Sequence, residues 1–151
     1  MPNGEHFIDI LVPIQDVWDF VSRLDKWAPL VPGYISHEIL NDRQSTWTFV
    51  GDLGIMKKEI SMKVDITNWK EPTEVVFDLT GLNENFIGGG FFKAEALSAN
   101  LTRMTGCLDI TAKGLKGPVA NGLLKSYIPQ TAKELTEAVA EKIAANKKVK
   151  A

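Results

Sequence analysis

Val12-Pro13-Ile14-Gln15-Asp16-Val17-Trp18-Asp19-Phe20-Val21 is the stretch on which the fold turns. Pro13 brings a fixed φ and no N–H, which suits the first turn of a helix. Val17, Trp18 and Val21 recur at helical spacing, giving a short helix with one buried face. Upstream, residues 5–12 (Glu-His-Phe-Ile-Asp-Ile-Leu-Val) are rich in β formers and predict a first strand. Downstream, residues 24–30 predict a second short helix or irregular turn, and Pro29 and Pro32-Gly33 stop it.

From Tyr34 the period becomes two. Strands are predicted at 34–40, 45–50, 55–69, 73–81, 91–99 and 101–112, with turns at Asn41-Asp42, Gly51-Asp52-Leu53-Gly54, Glu71-Pro72 and Asn100. The longest is the most regular: Ile60, Met62, Val64 and Ile66 alternate with Glu59, Ser61, Lys63 and Asp65, which gives one dry and one wet face. Cys107 falls on the face opposite Met104, Gly106, Leu108 and Ile110, and so points outward. A closing helix starts with Gly117 as cap and Pro118 at its first position. Its apolar stripe is Val119, Leu123, Leu124, Tyr127, Ile128, Leu135, Val139 and Ile143, with Thr131 and Ala132 filling the gap. Pro129 lies inside it and predicts a kink, or a break at Ile128. The order is therefore strand, two short helices, six strands, long helix: an α+β chain with a curved antiparallel sheet of seven strands and one helix across it. Such a shell around an interior points to holding an apolar molecule.

The chain has 151 residues, 44% hydrophobic and 24% charged, the size and balance of one globular domain. That domain is assigned to residues 1–146, with 147–151 as a frayed basic tail. No basic-then-apolar leader opens the sequence and no apolar run reaches 18 residues, so the expectation is a cytoplasmic protein, peripheral at most to a membrane. The lone Cys107 cannot form an internal disulfide. Residues 1–112 hold 9 Lys/Arg against 16 Asp/Glu, a net −7, while residues 113–151 hold 8 Lys against 3 Glu, a net +5. The simplest account is a basic helix attracted to an acidic sheet; the alternative is a basic face for anionic lipid or an acidic partner. No basic groove with interleaved aromatics exists, so nucleic acid is not an expected partner.

The order of elements, with Val17-Trp18-Asp19-Phe20-Val21, Trp27, Pro32-Gly33 and Gly88-Gly89-Gly90-Phe91-Phe92, resembles the SRPBCC superfamily. This is the helix-grip fold of START lipid-transfer domains and the birch pollen allergen. Within it the chain looks most like the carbon monoxide dehydrogenase CoxG family, and departs from it at Pro129 and in the Lys-rich tail. The resemblance implies an apolar cavity between sheet and closing helix, for lipids, sterols, quinones or polyketides. It also implies, as an alternative, an accessory, maturation or membrane-recruitment role beside a molybdenum hydroxylase complex. No cofactor is expected.

The inward faces then give a candidate lining: Trp47, Phe49, Ile60, Met62, Val64, Phe77, Leu79, Phe92, Met104, Leu108, Leu123, Tyr127 and Ile128. The same residues equally make an ordinary core, since pockets and cores share apolar side chains. Phe86, Ile87 and Gly88-Gly89-Gly90 read as a turn and strand bend, or as a mobile gate at the cavity mouth. They are not a phosphate loop, because no Lys-Ser/Thr and no helix follow. His6, His37 and Cys107 have no metal-ligand spacing, and no Gly-x-Ser-x-Gly element is present. Superfamily cyclases and dehydratases use isolated polar groups in the cavity, which makes Tyr34, His37 and Tyr127 the candidates for a third, enzymatic reading.

Overall fold

The structure, a computed structural model, describes residues 3–52, 57–113 and 117–150. The elements are β1 (Asn3–Ile10), α1 (Ile14–Val21), α2 (Leu24–Trp27), a 3-10 turn (Ala28–Leu30), β2 (Tyr34–Ile39), β3 (Gln44–Asp52), β4 (Lys57–Lys70), β5 (Glu74–Gly81), β6 (Phe86–Ser98), β7 (Leu101–Ala112) and α3 (Gly117–Lys150). The predicted turn residues Leu53 and Gly54, the predicted strand start at Ile55, the side chain of Val119 and the tail side chains of 147–151 lie outside the described residues.

All seven strands form one antiparallel sheet in the order β1-β7-β6-β5-β4-β3-β2. Strands β2 to β7 are a meander, and β1 closes onto β7 at the far edge. Register shifts in β2, β4 and β6 interrupt the ladder, and such bulges bend and twist the strand that carries them. Alternation decides the faces. Met62, Val64 and Ile66 are buried while Lys63 and Asp65 on the same strand are not. Cys107 lies on the outer face, half-buried. Burial pushes its thiol upward, the Glu5 and Asp109 carboxylates add to this, and Lys93 opposes it.

α3 lies across the inner face on β1 and β7. Ile128, Ala132, Leu135, Val139, Ala140 and Ile143 are its buried apolar residues. Two glycines set how closely it sits. A β-carbon on Gly4 would come 2.5 Å from Pro129 Cα, and one on Gly106 would overlap Thr136 Oγ1. The predicted break at Ile128 is not seen: α3 runs through Pro129 as one helix. Pro129 lacks one backbone donor, but packing of the flanking turns on the sheet outweighs that single bond. Among the described residues, no helix is long and apolar enough to cross a membrane.

The Gly-rich segment corrects a second expectation. Gly88, Gly89 and Gly90 are not a turn; they lie within β6, paired with Leu79, Asp78 and Phe77 on one side and Ile110, Asp109 and Leu108 on the other. Their small size answers close packing: a β-carbon on Gly90 would meet the Cys107 carbonyl and stand 2.9 Å from the Phe77 ring. A doubly paired strand cannot swing as a gate. Phe86 packs on the core and Ile87 is exposed.

One surface pair ties β1 to β7. Arg103 donates to both carboxylate oxygens of Asp9, at 2.9 and 3.2 Å, and its guanidinium lies 4.8 Å from the Phe7 ring centroid. The Arg103 hydrogen bond holds the Asp9 carboxyl below its ordinary range. A lowered carboxyl contributes stability above its unfolded value, about pH 4, and loses it as pH falls through the folded value. Denaturant titrations should therefore show Arg103→Met less stable than wild type at pH 7, with the gap narrowing below about pH 4. A gap that stays constant with pH would mean that only the stacking on Phe7 counts.

Candidate functional site

The inner face of the sheet and α3 enclose a cavity of about 40 Å³. Trp47 and Phe49 of β3, Met62 of β4, Phe77 and Leu79 of β5, and Leu108 and Ile110 of β7 form its floor. Tyr127, Ile128, Thr131 and Leu135 of α3 form its roof, and Trp27 and Val31 its end wall. The walls expose apolar surface alone.

The cavity is small because aromatic rings fill the space beside it. Trp27 stands edge-on to Trp47 and to Phe92, with centroids 4.9 Å away in each case, and tilted to Phe77 at 5.5 Å. Edge-to-face contacts of this kind add to the burial of area. Trp27 Nε1 donates to the Val21 carbonyl at 3.1 Å, so the ring's one polar atom is satisfied. Trp47 Nε1 donates to Ser45 Oγ at 2.9 Å, and Ser45 Oγ to the Glu38 carbonyl at 2.8 Å.

Of the predicted lining, Trp47, Phe49, Met62, Phe77, Leu79, Leu108, Tyr127 and Ile128 lie in the cavity wall. Val64, Phe92 and Met104 are buried in the core outside it. Ile60 and Leu123 are half-buried, with Ile60 Cδ1 against Gly51. Trp27, Val31, Ile110, Thr131 and Leu135 are absent from the predicted lining and belong to the wall. Leu24, Trp27, Ala28 and Val31 are all buried, and their spacing by threes and fours along the helical turns is the signal that marks this face.

Tyr34 and His37 share a hydrogen bond of 2.6 Å between the hydroxyl and Nδ1. The β2 bulge makes this possible: it puts residues three apart on one face, opposite Phe49 and Trp47. Neither is in the cavity wall. Among the described residues, Tyr127 alone brings an ionisable side chain to that wall, its hydroxyl lying over Gly51. Such a site can bury an uncharged apolar body. Among the described residues, no three His, Cys, Asp or Glu side chains are grouped to hold a metal ion.

A protein-family model matches residues 1–147. A START superfamily protein from Mycobacterium smegmatis superposes with a TM-score of 0.74 at 15% identity, over 95% of this chain and 98% of that one. The Zhui aromatase/cyclase from Streptomyces sp. R1128 does so at 0.71 and 15%, over 93% and 92%. Ara h 8.0201 does so at 0.64 and 19%, over 95% and 98%. At these identities the likeness is one of fold. No functionally curated protein matches the sequence. A family model matched along nearly the whole chain, and a seven-stranded antiparallel sheet gripped by one long helix, give this chain the helix-grip fold that it shares with the START superfamily protein.

Proposed function

We propose that this protein binds an uncharged apolar small molecule between the inner face of the sheet and α3. The observation that carries the reading is the enclosed cavity with wholly apolar walls, roofed by turns of α3 that are only half-buried before Ile128. A ligand that removes about 300 Å² of apolar surface from water gains about 7.5 kcal/mol. Before ordering costs, that corresponds to a dissociation constant on the order of 10 μM. The cavity as it stands, about 40 Å³, is far below the roughly 300 Å³ at which small-molecule pockets begin. Loading therefore requires the roof to lift. The fold shared with a START superfamily protein supports the same reading, for which lipids, sterols, quinones and polyketides are the candidate ligands.

The experiment is native mass spectrometry of the purified protein, followed by organic extraction and titration with N-phenyl-1-naphthylamine, an uncharged apolar fluorophore. A co-purifying apolar mass, or saturable uptake in the micromolar range, is the expected result. A clean apo mass with no uptake sinks the reading.

The charge division supports a second reading. A net +5 over residues 113–151 against −7 over residues 1–112 fits a helix end that meets an acidic partner or an anionic membrane, as an accessory factor of a molybdenum hydroxylase would. Co-sedimentation with anionic vesicles, abolished by salt, would favour it. The enzymatic reading, to which the aromatase/cyclase neighbour belongs, has less support, because Tyr34 and His37 stand outside the cavity wall.

A further inference from the structure

We infer that the outer face of the sheet carries a second binding site, independent of the cavity under α3, for an organic cation: an ammonium or guanidinium group borne on an apolar body. The site is a hollow left by one missing side chain. Phe77 and Leu79 are buried on the inner face, so Asp78 between them points outward. Gly89 pairs with Asp78 on β5 and with Asp109 on β7, and the three form one row across the outer face. Val76, Phe91 and Cys107 form the row on one side of it, and Thr80, Ile87 and Thr111 the row on the other. Gly89 is thus the centre of a patch of outward side chains and has none of its own. The hollow over it measures about 630 Å³, within the roughly 300–1,000 Å³ of small-molecule sites. The inner cavity measures about 40 Å³.

Charge and orphaned polar atoms say what the hollow would hold. Asp78 Oδ1 lies 3.5 Å from the place a Gly89 β-carbon would take, so this carboxylate leans over the glycine. Asp109 closes the other side, and its Oδ1 is buried with no hydrogen-bond partner; Thr111 Oγ1, one row along, is in the same state. Buried acceptors nearly always meet a donor in folded proteins, so a ligand that brings N–H groups is favoured here. Other carboxylates of this face are already matched: Asp65 by Lys63, Glu74 by Lys93 and Asp9 by Arg103. Among the described residues, Asp78 and Asp109 have no such cation, and Glu5, opposite Cys107, adds to the negative side. The two carboxylates spring from strands two apart, about 10 Å between backbones, which leaves room for one cationic head between them. Val76, Ile87 and Phe91 offer apolar surface to the rest of the ligand. The Phe91 ring already has the Lys93 ammonium 4.6 Å from its centroid, and an aromatic face suits a cation. A divalent metal fits poorly, since calcium wants about six or more oxygen ligands and no three His, Cys, Asp or Glu side chains gather among the described residues.

Calorimetric titration with 1-naphthylmethylamine, a cation at neutral pH, tests the site against 1-naphthalenemethanol, its neutral counterpart. The amine is expected to bind saturably and about 10-fold more tightly than the alcohol. Asp78→Asn and Asp109→Asn should each weaken the amine by about 10-fold, and the double variant should bring it to the level of the alcohol. Raising salt from about 0.05 to 0.5 M should weaken the amine and spare the alcohol. Amide shifts on adding the amine should centre on Asp78, Gly89 and Asp109, and excess N-phenyl-1-naphthylamine, the probe of the inner cavity, should not displace it. Equal binding of amine and alcohol, or unchanged affinity in both single variants, overturns recognition of the cation. Shifts centred on Trp47 and Ile128, or displacement by the neutral probe, put the amine in the inner cavity and overturn the second site. No binding of the amine overturns it as well. Uptake of the neutral probe reports on the inner cavity alone, so either site can fail without the other.

Discussion

Trp27→Ala is expected to lower stability by about 4 kcal/mol, or a fall in melting temperature of roughly 8–16 °C for a chain of this length. Trp27 is 1% exposed and touches three other rings, so its removal takes the central piece from the aromatic cluster. Its neighbours cannot collapse into the gap. Trp47, Phe77 and Phe92 are fixed on three separate strands of one sheet. The Val21 carbonyl also loses the donor that Trp27 Nε1 supplies. Trp27→Phe separates these two contributions: it keeps a ring but no N–H, and should cost about 1–2 kcal/mol from the lost bond plus its share of area. The same substitution bears on function. Trp27 is part of the wall of the existing cavity, so Trp27→Ala enlarges it and should bind N-phenyl-1-naphthylamine more tightly than wild type. Urea denaturation and probe titration of one preparation measure both effects. A loss below about 2 kcal/mol would show that the cluster repacks.

The strands were legible because their alternation is a direct record of the sheet's two faces. On β4 the buried Met62, Val64 and Ile66 sit in the predicted positions, and β7 begins and ends where the sequence places it, at Leu101 and Ala112. The glycines misled for a physical reason. Gly88-Gly89-Gly90 has the composition of a turn, but turn chemistry concerns φ, and among the described residues the only positive φ is at Gly33, 80°. Elsewhere glycine answers crowding, from Phe77 and the Cys107 carbonyl at Gly90 and from α3 at Gly4 and Gly106. Crowding depends on partners distant in sequence, so no local pattern announces it. Of the two outcomes expected at Pro129, the break at Ile128 does not occur: the lost hydrogen bond is local, whereas the packing that carries the helix through it is not. The cavity floor was legible from strand alternation. Its end wall was missed although Leu24, Trp27, Ala28 and Val31 carry helical spacing, because that spacing marks a buried face without saying that Trp27 meets the rings of β3, β5 and β6.

Gly106→Ala tests the seat of the closing helix most directly, and is expected to cost about 3 kcal/mol by overpacking. Gly106 is buried in the middle of β7, paired with His6 on one side and Phe92 on the other. An added β-carbon would overlap Thr136 Oγ1 and stand 3.1 Å from the Phe92 ring. Thr136 cannot readily turn away, since its hydroxyl donates to the Ala132 carbonyl at 2.7 Å and the residue is 1% exposed. The strand is held by ladders on both sides, so the helix is what must rise. Thr136→Ala alone should cost about 1 kcal/mol, for the lost hydroxyl bond and a small gap. In the double variant the alanine at 136 leaves room for the alanine at 106. The two losses should then fall short of additive by about 1–2 kcal/mol. Gly4→Ala is the useful contrast, because its new carbon meets the backbone of Pro129 and Ile128 and no side-chain truncation on α3 can relieve it. Chemical denaturation of the four members of the cycle measures the coupling. A strictly additive cycle would mean that Phe92, not the helix, gives way to the new carbon.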